Sequence, residues 1–381
     1  MSRFFAETVV ELASEDIAQA ALLTRLSEAT AREAVMRSYR AVSWIWESPV
    51  LLDGANAALA VFSVLIGLDQ PGDWPPLFAK AAYLVLDNPR QRNALSLGIL
   101  KSLKEQLIKY NSSRDGKQLF LPRFKPSLLE KLEKSTHKPS YATYHKQHGW
   151  LVDPHMWSAA REDLPNVLVL RSEGPVFSSG HDLKEISSMN RGEVSETFAL
   201  CAEVMSLIRR SPALVIGVVQ GLATAAGAQL ALTTDLPIAC ASTQFRLPGA
   251  SIGLPCTSPS TVLSRRLGNA FTYRMLALAE PVRADQLPGG VVETVPDEAA
   301  LEKRVSEMVE KLACRSAGQP QALGKWAYWT QVGMQGGDQG GDGYEEAAKW
   351  AARVMALHAK CADAEEGIRS FIEKREPEWR S

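Results

Sequence analysis

The chain has 381 residues, of which 46% are hydrophobic and 22% are charged. These proportions are ordinary for globular proteins and exclude a wholly disordered chain. The chain has 42 Lys and Arg residues and 43 Asp and Glu residues, so its net charge is −1. We therefore expect no nucleic-acid partner, since that class of protein needs a basic surface. At roughly 150 residues per domain, the length predicts two or three domains, or one large domain with attachments.

The first 79 residues differ from the rest of the chain. Apolar residues at helical spacing over 1–40 predict amphipathic helices. The apolar run at 55–68 is shorter than the roughly 20 residues of a membrane span, so it predicts a buried helix and no stable span. The segment RSYRAVSWIWES…GLDQPGDWPPLF, over 37–78, resembles a fragment of wax-synthase-type O-acyltransferases. We interpret 1–79 as an irregular helical N-terminal extension, and the resemblance indicates a fusion fragment or a mispredicted exon rather than a second activity.

From residue 81 onward, short apolar runs alternate with amphipathic segments. Apolar runs predict buried strands at 83–86, 167–170, 213–219 and 236–241. Helical spacing predicts helices at 194–209 and 225–233, and a further helix that starts with Asn93 or Ser96 as its cap. Continuous apolar strands separated by helices are typical of α/β proteins with a mostly parallel sheet.

Residues 111–153 interrupt this alternation. Over 101–150 the chain has 11 Lys and Arg residues against four Asp and Glu residues, and it carries His137, His145 and His148. We expect a solvated, poorly ordered basic insertion. An anion-binding arm and a weak histidine metal site are the alternatives.

The last part of the chain, 291–381, predicts a helical C-terminal region. Apolar residues at helical spacing predict helices at 301–313, 344–358 and 364–374. The glycine-rich stretch at 333–343 has no lysine and follows no strand, so it predicts a loop rather than a phosphate cradle. The five cysteines are too widely spaced for a zinc or redox motif, which favours free thiols in a reducing compartment.

Two segments carry the candidate chemistry. GPVFSSGHDLKE at 174–185 and VQGLATAAGAQLA at 219–231 each follow or end a predicted strand. Their small residues predict sharp turns whose main-chain N–H groups another molecule can approach. The second segment also opens a helix, and a helix N-terminus favours negative charge. Together the turns predict paired N–H groups that stabilise a negative oxygen; two turns that serve only close packing are the alternative.

These two motifs, with LVLDNPRQRNAL and the C-terminal GIRSFIEKREPEW, resemble the enoyl-CoA hydratase/isomerase (crotonase) superfamily, and most closely a mitochondrial subgroup of it. The resemblance implies an α/β fold with a spiral of ββα turns over 80–290. It also implies a helical C-terminal region that forms homotrimers or homohexamers. The implied substrate is an acyl-coenzyme A, and no metal or cofactor is implied beyond the coenzyme A of that substrate.

The resemblance also assigns residues by their position in the motifs. The thioester oxygen would accept hydrogen bonds from the main-chain N–H groups of His181 and Ala226. Substrate contacts would come from the first turn and from the basic pair near the C-terminus, namely Ser179, Gly180, Asp182, Lys184, and Lys374 or Arg375. Asp182 has a second interpretation, in which it organises the turn.

Two catalytic glutamates of the hydratases are absent, because Gln229 and Gly249 stand at their positions. Hydration needs both an acid and a base, and losing such groups typically costs roughly 10²–10⁴-fold each. We therefore expect no efficient hydratase activity. Isomerisation, decarboxylation or a lyase step through a thioester enolate is the first hypothesis. An inactive acyl-CoA-binding or regulatory protein of fatty-acid metabolism is the alternative, and a scaffold that uses 1–79 and the basic insertion is a third.

Other side chains are candidates to replace the glutamates. His181 titrates near neutral pH and is a candidate acid or base. Cys256 is a candidate nucleophile only if its pKa is lowered. Cys256, Thr257 and Ser258 lie near where the acyl group is expected, and Thr224 offers a hydroxyl at the pocket wall or serves only packing.

The subgroup implies a mitochondrial location. However, acidic residues at positions 7, 11, 15 and 16 follow Met1 closely, which is unlike a mitochondrial leader. A cytoplasmic location is therefore the alternative.

Overall fold

A computed structural model describes residues 74–75, 77–137, 148–252 and 256–334, with 362–363, 366, 370 and 373–380 of the C-terminal segment. The chain divides into two units, Met1–Phe78 and Ala79–Ser381, and every element below lies in the second. The predictions for residues 1–73, for the helix at 344–358 and for most of the glycine-rich loop fall outside the described residues.

The described part contains eight strands. They are β1 Ala81–Leu86, β2 Val167–Ser172, β3 Leu214–Val219, β4 Leu222–Thr224, β5 Leu236–Cys240, β6 Gln244–Arg246, β7 Val282–Arg283 and β8 Glu293–Val295. The four strands predicted from apolar runs are β1, β2, β3 and β5, and all four are confirmed.

Five strands form a sheet in the order β1-β2-β3-β5-β8, and each pair of neighbouring strands in it is parallel. Ala81 lies opposite Val167, and Val167 lies opposite Leu214. Strand β2 is buried along its whole length, as expected for a parallel sheet covered by helices.

The remaining strands form a second sheet in the order β4-β6-β7. Strand β4 is parallel to β6, whereas β6 and β7 are antiparallel. Each of β4 and β6 follows a strand of the first sheet within a few residues and leads into a helix. This succession of strand, strand and helix is the predicted ββα repeat.

Helices make up most of the rest. They are α1 Leu97–Lys109, α2 Leu128–His137, α3 Pro154–Arg161, α4 Leu183–Ser188, α5 Arg191–Arg210, α6 Ala226–Thr233, α7 Gly249–Ile252, α8 Thr257–Leu267, α9 Asn269–Leu278, α10 Glu298–Cys314 and α11 Gly318–Val332. The helices predicted at 194–209, 225–233 and 301–313 are confirmed as α5, α6 and α10.

Of the two residues predicted to cap α1, Ser96 is confirmed and Asn93 is wrong. The Ser96 hydroxyl accepts a hydrogen bond from the Ile99 N–H at 3.2 Å. Helix α1 then buries Leu100, Leu103 and Leu107 on one face. Asn93 instead lies in the turn before the helix with its side chain fully buried.

The prediction of a solvated insertion over 111–153 is wrong for its described parts. They form a second hydrophobic core with α11, which we call the Trp326 core: Leu119, Leu121, Leu129, Leu132, Trp150, Leu151, Val152, Trp157, Ala322, Leu323 and Trp326. A helix such as α2 can bury leucines on one face while its lysines stay solvated on the other. The basic composition of the insertion therefore reflects its solvated face and gives no sign of its buried apolar face.

Candidate functional site

The two turns predicted to carry the chemistry lie side by side. Ser178 and Ala223 form a parallel bridge between them. The Thr224 N–H donates to the Ser178 carbonyl at 3.0 Å. His181 follows Ser178 by three residues and Ala226 follows Ala223 by three residues. The bridge thus places the two candidate N–H donors in the same register, each three residues beyond a bridged residue.

Two glycines let these backbones approach each other closely. Gly180 has a φ of +83°, and a Cβ there would lie 3.4 Å from the Ala226 nitrogen and 2.9 Å from the Thr224 oxygen. A Cβ on Gly227 would lie 2.5 Å from the Ser178 oxygen. Side chains at these two positions would therefore push the turns apart.

The main-chain N–H groups of His181 and Ala226 have no main-chain acceptor among the described residues. Ala226 is the first residue of α6, so its N–H has no partner inside the helix, and no side chain caps the helix. The preceding residue, Ala225, has φ 49° and ψ −120°, a conformation that costs energy for a residue with a Cβ. Strain of this kind concentrates at functional sites.

Asn93 anchors the first turn, a role that the sequence motifs did not reveal. Its side-chain Nδ2 donates to the carbonyls of Glu173 and Val176, both at 2.7 Å. Its own carbonyl accepts from the Ser178 hydroxyl at 2.8 Å. A left-handed φ of 51° at Asn93 suits asparagine better than most residues, but only the tertiary contacts show what the residue holds.

Ser179 and Lys184, both predicted to contact substrate, lie on either side of Gly180. The Ser179 N–H donates to the Arg92 carbonyl at 3.0 Å, which fixes the entry into the turn. Lys184 is exposed in the first turn of α4. Their contacts to a ligand stay predictions.

The His181 side chain is held against the protein. Its Nδ1 lies 3.3 Å from the Leu95 carbonyl oxygen. Its ring meets the Phe198 ring edge-on, with centroids 4.6 Å apart. Burial lowers the pKa of His181 below its ordinary value, so the ring is neutral at neutral pH. Its role as acid or base stays a prediction.

The carboxylates beside the first turn hold helices in place. Asp182 Oδ1 accepts hydrogen bonds from the N–H groups of Lys184 and Glu185, at 3.0 and 3.1 Å. It therefore caps α4, which matches its interpretation as the organiser of the turn; a substrate contact through Asp182 stays a prediction. Glu185 Oε2 accepts from the Leu97 N–H at 2.9 Å, joining α4 to the start of α1.

Gln229 and Gly249, the two positions at which the resemblance implies glutamates, contact the same element, the start of α8. The Ser258 hydroxyl donates to Gln229 Oε1 at 3.1 Å, and the Gly249 main chain hydrogen-bonds the Cys256 thiol. Gln229 is only 4% exposed. Burial raises the pKa of Cys256, which argues against a thiolate nucleophile. Thr224, the other candidate hydroxyl, donates to the Arg246 carbonyl at 3.2 Å.

The two basic residues near the C-terminus, Lys374 and Arg375, differ in their contacts. Arg375 pairs with Glu366 and Glu373, with nitrogen–oxygen distances of 2.6 Å. Lys374 is exposed and has a φ of 56°. The nucleotide contact of this pair stays a prediction. Lys374 is the better candidate, because the charge of Arg375 is already paired with two carboxylates.

In the part of the chain that the structure describes, no three His, Cys, Asp or Glu side chains are grouped to hold a metal ion. His148 of the insertion is half-buried, and its pKa is lowered by burial and by Lys131 and Lys117. Within the same described ranges, every helix is too short or too polar to cross a bilayer.

Comparisons with known proteins agree with the motifs. Residues 157–381 match the sequence profile of the family described as enoyl-CoA hydratase/isomerase. The chain is 32% identical over 298 residues to the rat protein named "Enoyl-CoA hydratase domain-containing protein 3, mitochondrial", covering 78% of this chain and 80% of the relative. The human protein of that name is 31% identical over 299 residues, covering 78% and 79%.

Solved structures agree as well. The crystal structure of the human enoyl-coenzyme A hydratase domain-containing protein 3 matches with a TM-score of 0.59 and 30% identity, over 79% of this chain and 97% of that one. An enoyl-CoA hydratase of Mycobacterium smegmatis matches with a TM-score of 0.59 and 30% identity, over 78% and 95%. The expected ββα spiral is therefore confirmed.

Proposed function

Since this chain belongs to the enoyl-CoA hydratase/isomerase (crotonase) family, in the subgroup of enoyl-CoA hydratase domain-containing protein 3, we propose that its paired turns bind the thioester carbonyl of an acyl-coenzyme A. The observation that carries the proposal is the register of His181 and Ala226, whose N–H groups lack main-chain acceptors among the described residues. Two such donors would stabilise the negative oxygen of a thioester enolate, and each is worth roughly 3–4 kcal/mol in well-studied enzymes.

The reaction we propose is one that proceeds through this enolate without a water-activating carboxylate. Gln229 and Gly249 provide no titratable group, so efficient hydration is not expected. Double-bond isomerisation, decarboxylation or a lyase step in fatty-acid metabolism fits better. Apart from the coenzyme A of the substrate, the proposal needs no cofactor.

The remaining parts of the proposal come from the family. Ser179, Gly180, Asp182, Lys184 and Lys374 would contact the coenzyme A portion. Homotrimers or homohexamers are the proposed assembly. The mitochondrial names of the relatives support a mitochondrial location.

A pair of ligands tests the proposed thioester contact without altering the protein. We expect butyryl-CoA to bind at least about 10-fold more tightly than S-butyl-CoA, a thioether that lacks only the carbonyl oxygen. Two net hydrogen bonds of about 0.5–1.5 kcal/mol each account for that ratio. Isothermal titration calorimetry measures both affinities. Equal affinities would contradict an oxygen-binding pair of N–H groups.

A catalytically inactive acyl-CoA-binding protein is the second candidate function. It is favoured by the absence of a carboxylate at both Gln229 and Gly249. Steady-state assays with crotonyl-, 3-enoyl- and malonyl-CoA separate the two functions, because tight binding with no turnover of any of them supports the inactive protein. In either case the double variant Gln229→Glu with Gly249→Glu should gain crotonyl-CoA hydration if the pocket is intact.

A further inference from the structure

We infer that Gln229 and Ser258 form a specificity contact, which selects acyl-CoA esters whose short acyl chain carries a carboxylate. The inference rests on the proposed function, because it places this contact beside the thioester oxygen.

Gln229 is well placed to reach the acyl group. It lies three residues after Ala226 on α6, which is about 4.5 Å along the helix axis. Side chains of a helix lean toward its N-terminus, and here that is the end at which the Ala226 N–H has no main-chain acceptor among the described residues. An acyl chain of two or three carbons spans such a distance.

The hydrogen bond from Ser258 determines which end of the Gln229 amide is available. Because the Ser258 hydroxyl donates to Oε1, the two N–H groups on Nε2 are left, and no described residue accepts from them. Gln229 is almost fully buried. The free N–H groups of this amide can donate to an acceptor oxygen on a ligand.

The electrostatic setting favours an acceptor that is charged. The bond between Gln229 and Ser258 joins the first turns of α6 and α8. Neither helix has a side-chain cap or an acidic residue in its first turn. Since the N-terminus of a helix carries partial positive charge, two of them favour an anion. A glutamate at 229 would repel that anion, whereas a glutamine does not.

Three coenzyme A esters of similar length test this assignment: malonyl-CoA, acetoacetyl-CoA and butyryl-CoA. Malonyl-CoA offers a carboxylate, acetoacetyl-CoA a neutral oxygen and butyryl-CoA a methyl group. For the full chain we expect malonyl-CoA to bind at least about 10-fold more tightly than butyryl-CoA, with acetoacetyl-CoA between them. Calorimetry measures the affinities, and mass spectrometry of the recovered ligand checks that malonyl-CoA is intact.

Variants then locate the source of this preference. Gln229→Met should reduce the malonyl-to-butyryl ratio to near one. Ser258→Ala should reduce the ratio several-fold, since Gln229 is no longer held. The matched control is Ser260→Ala, because the Ser260 hydroxyl donates only to the Thr257 carbonyl of its own helix, and it should leave the ratio unchanged.

The possible failures are distinguishable. Equal binding of malonyl-CoA and butyryl-CoA by the natural chain, or a malonyl preference that survives in Gln229→Met, would overturn the specificity contact alone. Acetoacetyl-CoA binding as tightly as malonyl-CoA would overturn the selection of charge. No binding of any of the three esters would refute the proposed function, and this inference with it. If Gln229→Met does not fold, the ligand series and Ser258→Ala still decide.

Discussion

The paired turns and the Trp326 core are built in opposite ways. Around Gly180 and Gly227 the contacts are between main chains, and they depend on the absence of side chains. In the Trp326 core the contacts are between large apolar side chains, with Trp326 itself fully buried. The difference shows that the candidate chemistry depends on backbone spacing, whereas the stability of the insertion depends on side-chain volume.

The strongest test of this contrast is Trp326→Ala. Emptying a fully buried aromatic site should lower the free energy of unfolding by about 3–5 kcal/mol. Urea denaturation measures the loss. Acyl-CoA binding should be unchanged where the protein is still folded, because the Trp326 core contains no residue of the two turns.

The control for that variant is Tyr328→Ala, on the same helix α11. Tyr328 is 54% exposed, so its loss should change the free energy of unfolding by no more than about 0.5 kcal/mol. Similar losses in the two variants would show that the Trp326 core is not the source of stability.

A smaller effect on stability is expected for Gly227→Ala, with a larger effect on binding. The added Cβ would lie 2.5 Å from the Ser178 oxygen, so the turns must separate, at a cost of about 1–3 kcal/mol. Acyl-CoA affinity should fall by more than about 10-fold, as measured by calorimetry.

Gly324→Ala is the matched glycine variant in the other region. A Cβ at Gly324, inside α11, meets nothing within 4 Å. The substitution should therefore stabilise the protein by about 0.5–1 kcal/mol, because alanine favours helix over the unfolded chain. Equal changes in the free energy of unfolding and in acyl-CoA affinity for Gly227→Ala and Gly324→Ala would show that binding does not depend on the close approach of the turns.

Asp182 provides a finer test beside the first turn. Asp182→Ala removes the cap of α4 and should lower the free energy of unfolding by about 1 kcal/mol. Asp182→Asn should keep both stability and ligand affinity, since asparagine caps a helix as well as aspartate does. Denaturation curves and calorimetry on the two variants give the result. A loss of turnover in Asp182→Asn without a loss of stability would instead assign a chemical role to the carboxylate.

The smallest expected effect is the pH dependence due to His181. Its folded-state pKa is lowered by burial from an ordinary value of 6.5, so the unfolded chain takes up the proton first as the pH falls. The stability contribution of the neutral ring is complete above pH 6.5, and it is lost as the pH falls through the folded-state pKa. Urea midpoints between pH 7.5 and 5 should therefore fall less in His181→Gln than in the natural chain. His148, whose pKa is also lowered, contributes a decrease of the same sign in both proteins, and identical slopes would contradict a buried neutral His181.

Sequence patterns predicted four of the five strands of the main sheet, all except β8, and indicated the two segments of the candidate site. Apolar runs such as 167–170 and 213–219 are local signals, since a strand buried on both faces must be apolar along its length. The motifs at 174–185 and 219–231 are local too, because a tight turn needs small residues wherever it occurs. These patterns and the family resemblance together indicated the α/β class, the parallel sheet and the two turns.

Other contacts could not be predicted, because they join residues far apart in the chain. Asn93 reaches Glu173 and Val176, and Ser258 reaches Gln229. No local sequence pattern predicts such hydrogen-bond partners, since a single asparagine or serine has many possible roles. The basic composition of 111–153 was misleading for a related reason: burial is decided by the partner helix α11, which lies more than a hundred residues further along.

The sequence by itself determined which segments are apolar enough to form the sheet and which are small enough to turn sharply. Only the tertiary structure decided three contacts. Ser178 pairs with Ala223, the main-chain carbonyl of Asn93 accepts a hydrogen bond from the Ser178 hydroxyl, and Trp326 packs in a second hydrophobic core. The physical reason is that propensity and patterning act over a few neighbouring residues, whereas hydrogen-bond partners and buried volume depend on which distant segments the fold brings together.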